Sequence, residues 1–338
     1  MKNLYKRKWL NIVLLIILAF CMLSISGFSQ ENKIIIKLGH HHTIDSFPDL
    51  VAHRISEIVN EKTNGRVVID IYPGAQLGQE QEACQGILMG TLQMSILSPS
   101  FYDSTIKGFG VDVLPFTYKD SDQLSMILND SPVGKKLEER YIENGGRILG
   151  WISLGSREML FADKEITRFE EFKGLKMRSP ENDMWVNMFT AIGCKPTPIT
   201  WGEAYTALQA GIVDGMESPL SSIKDMKFFE VAKYALETHH MMGMMIIVIN
   251  EKLFQKLPED IQKIIIEAGH EAVDYCTELD REAEKSTAAW LKEQGMKINE
   301  VSEEDAAKFR EAILPIIDKW AEAHDCVDLV EEIRTLTK

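Results

Sequence analysis

No C-x-x-C pair, no G-x-G-x-x-G, no G-x-x-x-x-G-K-[ST] and no H-E-x-x-H occurs in the 338 residues. Without a glycine-rich phosphate cradle, a nucleotide has no evident seat. Without the paired histidines, the helix-borne zinc site of a metalloprotease is absent too. Cysteine is scarce, with five in the chain. Beyond Cys21 in the apolar N-terminal run, Cys84, Cys194, Cys276 and Cys326 show no metal-ligand spacing. They read as small buried apolar residues, with one disulfide left open. Positive charge is also in deficit: 37 lysines and arginines face 51 aspartates and glutamates, a net charge of −14. Such a surface repels nucleic acid and anionic lipid, so neither is expected as a partner.

Long apolar runs are nearly absent, and the exception is terminal. Lys2, Lys6, Arg7 and Lys8 precede "WLNIVLLIILAFCMLSISGF", and a polar "SQENK" follows. A basic start, an apolar core and small residues before a polar segment predict a secretory signal peptide over residues 1–29. Cleavage after Ser29 puts Gly27 at the third position before the cut, and Ser26 is the alternative. The run is long enough to span a bilayer, so a retained anchor is the competing reading. Phe20 before Cys21 argues against a lipoprotein. Export would remove four cations and no acid, leaving an even more acidic extracytoplasmic, for instance periplasmic, protein.

What remains is 45% apolar and 26% charged over the whole chain, a globular composition long enough for two α/β lobes. "KIIIKLGH" reads as a strand and "DSFPDLVAHRISEIVNEKTNG" as a helix, with Val51, Ile55, Ile58 and Val59 on one face and Gly65 as its stop. A strand "RVVIDIYP", a helix "GQEQEACQGILMG" and a strand "TLQMSIL" continue a β-α-β-α-β rhythm that predicts a mainly parallel sheet. The rhythm restarts with "RILGWISLG" and "MLFAD" as two strands, "GLKMRSP" as another and "NDMWVNMFTAIG" as a helix. Thr200 and Glu203 fit a T-x-x-E capping box. "VDGMES" is followed by a helix through "IKDMKFFEVAKYALE", then a strand "MMGMMIIVIN". From Pro258 to about Gly295 the pattern is helical, about 50 Å long at 1.5 Å per residue, enough to brace two lobes. Ser302 and Asp305 open a further helix.

Isolated fragments suggest chemistry weakly. "SSIK" (221–224) matches S-x-x-K, but the partner motifs of serine acyl-enzymes are missing. "HHH" (40–42) places successive side chains on alternate faces of a strand, so they cannot converge on one ion. "HHMMGMM" (239–245) reads as a buried strand padded with methionine. No metal, no cofactor and no catalytic residue is called for. A secreted hydrolase using "SSIK" or the histidines is the rival to a binding protein that closes on its ligand by a hinge.

Several runs in order then carry a resemblance: "YPGAQLGQEQE" (72–82), "DVLPF" (112–116), "GSREML" (155–160), "FKGLKMRSP" (172–180), "GCKPTPITWGEAYTALQAGIVDGMESP" (193–219), "KFFEVAKY" (227–234) and "LPEDIQK" (257–263). Together they resemble the DctP-type extracytoplasmic solute receptors of TRAP (tripartite ATP-independent periplasmic) transporters. The resemblance implies a two-lobe, type II periplasmic-binding-protein-like α/β fold with a hinge and a long helix bracing both lobes. It divides the chain into residues 30–154 plus 244–283 as lobe I and 155–243 plus 284–338 as lobe II. It implies no enzymatic activity, a small organic acid as ligand, TRAP membrane permease subunits as partners, and a monomer.

The same resemblance assigns Arg178, in the L-K-x-R-x-P run, a paired contact with the ligand carboxylate. A guanidinium suits that contact, with two parallel N–H donors and a permanent charge. Arg157 matches a second position facing the cleft, and Glu217 is an acid that would orient an arginine. Ser218 stands where many relatives carry asparagine. Trp201 would cover the ligand with its indole face. His41, Glu80 and His240 are candidates for polar contacts, and Ser98 and Tyr102 lie at a strand end where α/β sheets present ligands. A negative Glu80 would accept from hydroxyls and repel a second carboxylate. The expected ligand is therefore a monocarboxylate sugar acid, such as a hexuronate or aldonate. 2-Oxo acids, C4-dicarboxylates, sialic acid and taurine are the other ligands of such receptors.

Overall fold

The computed structural model describes residues 33–338, so the signal peptide expected over 1–29 lies outside the described residues. The first wing of the sheet contains β1 (Ile34–His40), β2 (Val67–Tyr72) and β3 (Met94–Leu97), alternating with α1 (Phe47–Lys62) and α2 (Glu80–Met89). α1 buries Val51, Ile55, Ile58 and Val59 along one face. α2 begins with a capping box between Gln79 and Glu82 and stops at Gly90, which is left-handed at φ 79°. α3 (Ser121–Asp130) and α4 (Pro132–Glu143) lead into β4 (Gly146–Phe161).

The second wing contains β5 (Lys176–Ser179), α5 (Asp183–Ala191), β6 (Lys195–Pro198), α6 (Ala204–Gln209), β7 (Gly215–Pro219) and α7 (Leu220–Asp225). β8 (Tyr234–Asn250) returns across the molecule, followed by α8 (Glu251–Phe254), α9 (Glu259–Glu293), β9 (Lys297–Glu300), α10 (Glu303–Ala323) and α11 (Val327–Leu336).

Among the described residues the strands join one sheet in the order β2-β1-β3-β8-β4-β7-β5-β6, with β9 on β8. The parallel pairing expected from the β-α-β-α-β run holds for β1 and β3 but does not extend across the whole sheet. β1–β3, β5–β6 and β5–β7 are parallel, but the centre is antiparallel because β4 and β8 are a matched pair of 16 and 17 residues. "RILGWISLG" and "MLFAD", read as two strands, are one. The two ends of this ribbon serve different wings: β8 pairs with β3 through Ile246–Ile249, and β4 pairs with β7 through Arg157–Phe161. Between them the register slips at Ser153/Gly155 and again at Arg157/Met159.

Gly155 sits at the first of these slips with φ +88°, and a β-carbon there would lie 2.9 Å from Asp280 Oδ1. An alanine would meet both the left-handed penalty and that oxygen. Gly155→Ala is expected to lower the melting temperature by about 1.5–3 °C, from roughly 1–2 kcal/mol of strain. An unchanged midpoint in a thermal melt would refute the requirement.

The helix expected through residues 223–237 is broken. Lys227 is left-handed at φ 56°, ending α7's run, and Tyr234 already opens β8. Strand pairing of 234–237 with both β4 and β9 outcompetes the helical pattern of those residues. The Thr200/Glu203 box is corrected as well. Thr200 Oγ1 donates to Glu203 Oε2 at 2.8 Å, so the two side chains satisfy each other and a single 3₁₀ turn forms.

α9 spans 35 residues and packs on α1 and β4 in the first wing and on α7 and β9 in the second. It approaches β4 through paired glycines: a β-carbon on Gly269 would lie 2.5 Å from Leu149 O, and one on Gly150 2.4 Å from Val273. Cys84, Cys194, Cys276 and Cys326 are buried free thiols, so the disulfide left open by the sequence does not form.

Candidate functional site

A cavity of about 270 Å³ lies where the two wings meet the middle of the β4–β8 ribbon. Leu154, Met244 and Met245 of the ribbon form its floor. Its volume is near the small end of the ligand-site range of roughly 300–1,000 Å³.

Arg178 enters from β5. Strand alternation buries Met177 in the core and turns Arg178 to the opposite face, and Pro180 closes the strand beside the cavity. The guanidinium is 3% exposed. Its Nε donates to Ile199 O at 2.9 Å and its Cζ lies 5.6 Å from the centre of the Trp201 ring. The terminal nitrogens have no protein hydrogen-bond partner among the described residues. Burial lowers its pKa to about 10, against the pull of Glu217, so it remains a cation at neutral pH.

Arg157 is already engaged. Its Nε donates to Glu217 Oε2 and its Nη2 to Oε1 at 2.8 Å, and Trp185 Nε1 donates to Oε1 at 2.8 Å. Burial alone would raise Glu217, but the charge and hydrogen bonds of Arg157, with His240 behind, hold its carboxyl well below the usual range. The Arg157–Glu217 pair is thus close to neutral, and Arg178 carries the cavity's uncompensated positive charge.

Glu80, on the first turn of α2, faces these cations. Its Oε1 accepts the Ser98 backbone N–H at 2.6 Å, and its Oε2 lies 3.4 Å from His41 Nε2. Burial pushes the carboxyl up to about 7 despite the Ser98 contact and the attraction of Arg178 and Arg157. Burial also drives His41 down to about 3 and His42 well below its ordinary value, with Arg178 and Arg157 respectively adding repulsion. Both rings are neutral, so the His41–Glu80 contact is not an ion pair.

Trp201 is wedged between Phe228, at a ring separation of 5.3 Å, and His42, at 5.4 Å. Its Nε1, Ser218 Oγ and His42 Nδ1 are buried in the cavity wall without a hydrogen-bond partner. Buried polar atoms are costly when unpaired.

Of the sequence candidates, Arg178, Arg157, Ser218, Trp201, Glu80, His41 and Ser98 line the cavity. Glu217 stands one layer behind, on Arg157. Two candidates are corrected. The Tyr102 hydroxyl contacts Tyr141 at 2.7 Å and Cys84 O at 3.1 Å inside the apolar core. His240 is fully buried, with Nδ1 2.7 Å from Thr238 Oγ1 and Nε2 3.7 Å from Glu217 Oε2. Sequence reasoning missed His42 and Trp185. His42 was hidden in the strand-like "HHH", although it lies past the end of β1. Trp185 follows the Asn182 cap on α5, a pattern that signals a helix start and nothing about its contact with Glu217.

The other fragments have structural roles. His40 bonds Asp49 at 3.0 Å, so the three consecutive histidines meet three different neighbours. Ser221 Oγ donates to Leu154 O, and Lys224 lies over Trp290. Among the described residues no group of three His, Cys, Asp or Glu side chains could hold a metal, and no helix is long and apolar enough to cross a membrane.

Residues 39–323 match the family described as DctP: bacterial extracellular solute-binding protein, family 7. The chain belongs to the DctP family. It is a TRAP periplasmic solute-binding protein, and the family consists of transport receptors, not enzymes. It is 29% identical to the sialic acid-binding periplasmic protein SiaP of Vibrio cholerae, over 90% of this chain and 94% of that protein. Its fold is similar to the sugar acid binding protein DctPAm of Advenella mimigardefordensis in complex with galactonate. That match has a TM-score of 0.86 and 26% identity, covering 90% of this chain and 98% of the other. A TRAP solute-binding protein of a Sulfitobacter species with bound β-D-galacturonate matches with TM-score 0.84 and 27% identity, over 89% and 99% of the two chains. The DctP-family periplasmic-binding-protein fold, with its long α9, is therefore the fold of this chain.

Proposed function

We propose that this DctP-family receptor captures a monocarboxylate sugar acid, a hexuronate or an aldonate, outside the cytoplasm and delivers it to a TRAP membrane permease. The observation that carries the reading is Arg178: a buried cation in a cavity wall, held through Nε, with its terminal nitrogens unpaired. A carboxylate is the planar anion that fits two parallel guanidinium N–H groups. Because Arg157 is matched by Glu217, Arg178 is the arginine left to receive that anion. Glu80, His41, Ser98 and Ser218 supply the polar surface that hydroxyls require, and the Trp201 indole supplies a face for sugar C–H groups. Galactonate and β-D-galacturonate in the two structural relatives are of the same chemical class.

Binding proceeds by closure of two lobes, residues 30–154 with 244–283 and residues 155–243 with 284–338, after export directed by residues 1–29. Two of the boundaries, 154/155 and 243/244, fall in the ribbon's irregular middle, beside Leu154 and Met244 of the cavity floor, and the third, 283/284, falls within α9. Carboxylate docking on Arg178 and hydroxyl contacts from the other lobe favour the closed form by differential affinity. Two charge-assisted hydrogen bonds, at about 1.5–3 kcal/mol each, supply a large share of the roughly 8 kcal/mol of a micromolar complex.

The test is a thermal-shift screen against organic and sugar acids. At ligand concentrations about a hundredfold above Kd, stabilisation approaches 2.7 kcal/mol, a shift of several degrees. Hexuronates or aldonates should give the largest shifts, with no product formed on incubation. Larger shifts with simple 2-oxo acids would overturn the sugar-acid assignment.

A further inference from the structure

Three carboxylates line the cavity, and they differ in setting. Glu82 is exposed and its Oε2 accepts the Gln79 N–H of the α2 cap, while Glu181 is exposed on the loop after β5. Glu80 has a side chain 11% exposed, one oxygen fixed by Ser98 N–H, and no cation within ion-pair reach. The other oxygen, Oε2, lies 3.4 Å from the neutral imidazole of His41, and both residues line the cavity. The groups around it come from every neighbouring element: His41 after β1, Ser98 after β3, Arg157 on β4, Arg178 on β5, and Cys84 one turn along α2. Arg157 is occupied by Glu217, Arg178 acts only at longer range, and Cys84 is a buried neutral thiol. No counter-ion locks the charge of Glu80.

Resting on the receptor reading above, we propose that Glu80 selects ligands by charge class through its own proton. Ionised, it accepts from the hydroxyls of a monoacid and turns away a second carboxylate. Protonated, it donates through Oε2, so that a dicarboxylate fits the same cavity with one end on Arg178 and the other on Glu80. The proton comes from solvent and returns there when the diacid leaves. Burial, which pushes this carboxyl up to about 7, puts the change within the neutral range.

The sign follows from linkage. Binding that requires a proton weakens by about tenfold per pH unit once the free site has lost it. Binding to the ionised form shows no such loss. Calorimetric titration of the purified protein with glucuronate and with succinate, between about pH 7.5 and 9, separates the two cases because both ligands are almost entirely ionised there. Buffers of different ionisation enthalpy count the protons exchanged. Succinate is expected to take up close to one proton per molecule at the upper pH and to weaken about tenfold per unit, whereas glucuronate keeps its affinity. Glu80→Gln, a neutral side chain of the same shape, should flatten the succinate profile. A succinate slope that persists in Glu80→Gln, no proton uptake in the wild type, or no succinate binding at any pH would overturn the proposal. If glucuronate still binds through Arg178 in those cases, the receptor reading stands. Failure of the screened acids as a class, with neither probe binding, would remove that reading instead.

Discussion

Arg178→Ala is expected to weaken organic-acid binding by roughly 10²–10⁴-fold while leaving the fold intact. The magnitude follows from losing two charge-assisted hydrogen bonds, about 3–6 kcal/mol together. The fold should tolerate the change because Arg178 makes one hydrogen bond to protein, to Ile199 O, and no ion pair within 4 Å. Removing a buried, unpaired cation also relieves a desolvation cost, so the melting temperature of the empty protein should be unchanged or higher. Arg178→Lys retains charge but loses the planar fork, and should fall between the two. Calorimetric affinity together with a thermal melt of the empty variants checks both parts. Wild-type affinity in Arg178→Ala would refute the carboxylate assignment, and a collapsed melt would show that the arginine is structural.

The second large effect is on stability. Glu217→Ala should lower the melting temperature by about 5–8 °C, from roughly 3–5 kcal/mol. Glu217 is fully buried and collects both Arg157 donors and the Trp185 indole N–H. Its removal strands a partly buried cation and an indole donor at once. The pH dependence is fixed by sign. Arg157 and His240 hold the folded carboxyl below its unfolded range, so the stabilisation is complete above about pH 4.3 and is lost only as acid takes the pH down through the folded value. The gap between wild type and Glu217→Ala should therefore be constant from about pH 6 to 8 and shrink in acid. A gap that opens or closes within the neutral range would contradict the pairing.

These two arginines also show where sequence reading succeeds and where it stops. Arg178 was legible because the one arginine in "GLKMRSP", two residues before a proline, carries a family pattern, and the structure does place it in the cavity wall. The division of labour between Arg157 and Arg178 was not legible. It depends on which of them β7 brings next to Glu217, a pairing 60 residues apart in sequence. Glu80 was legible as a candidate, but its ionisation depends on burial by the packed wings. The helices with a clear apolar face, such as α1 and α9, and those with a cap or stop, such as α2 and α10, were predicted well because their signals are local. Strand pairing is not local. Nothing in "YALE" announces that it lies between β4 and β9, and nothing in "RILGWISLG" shows that it continues through Arg157 to Phe161. Tyr102 was misplaced for the same reason: the end of β3 faces the cavity at Ser98, but one 3₁₀ turn later the ring is inside the core with Tyr141.

The four described sulfhydryls have one consequence for how the molecule matures. Since Cys84, Cys194, Cys276 and Cys326 are buried and unlinked, maturation needs neither an oxidase nor an isomerase, and the fold is the same in reducing and oxidising surroundings. Burial raises the thiol of each, with Cys194 at about 12 and Cys326 at about 11, which suppresses the reactive thiolate. Their chemical modification is thereby tied to transient opening of the chain, so the rate at which they are alkylated is a clock for unfolding itself.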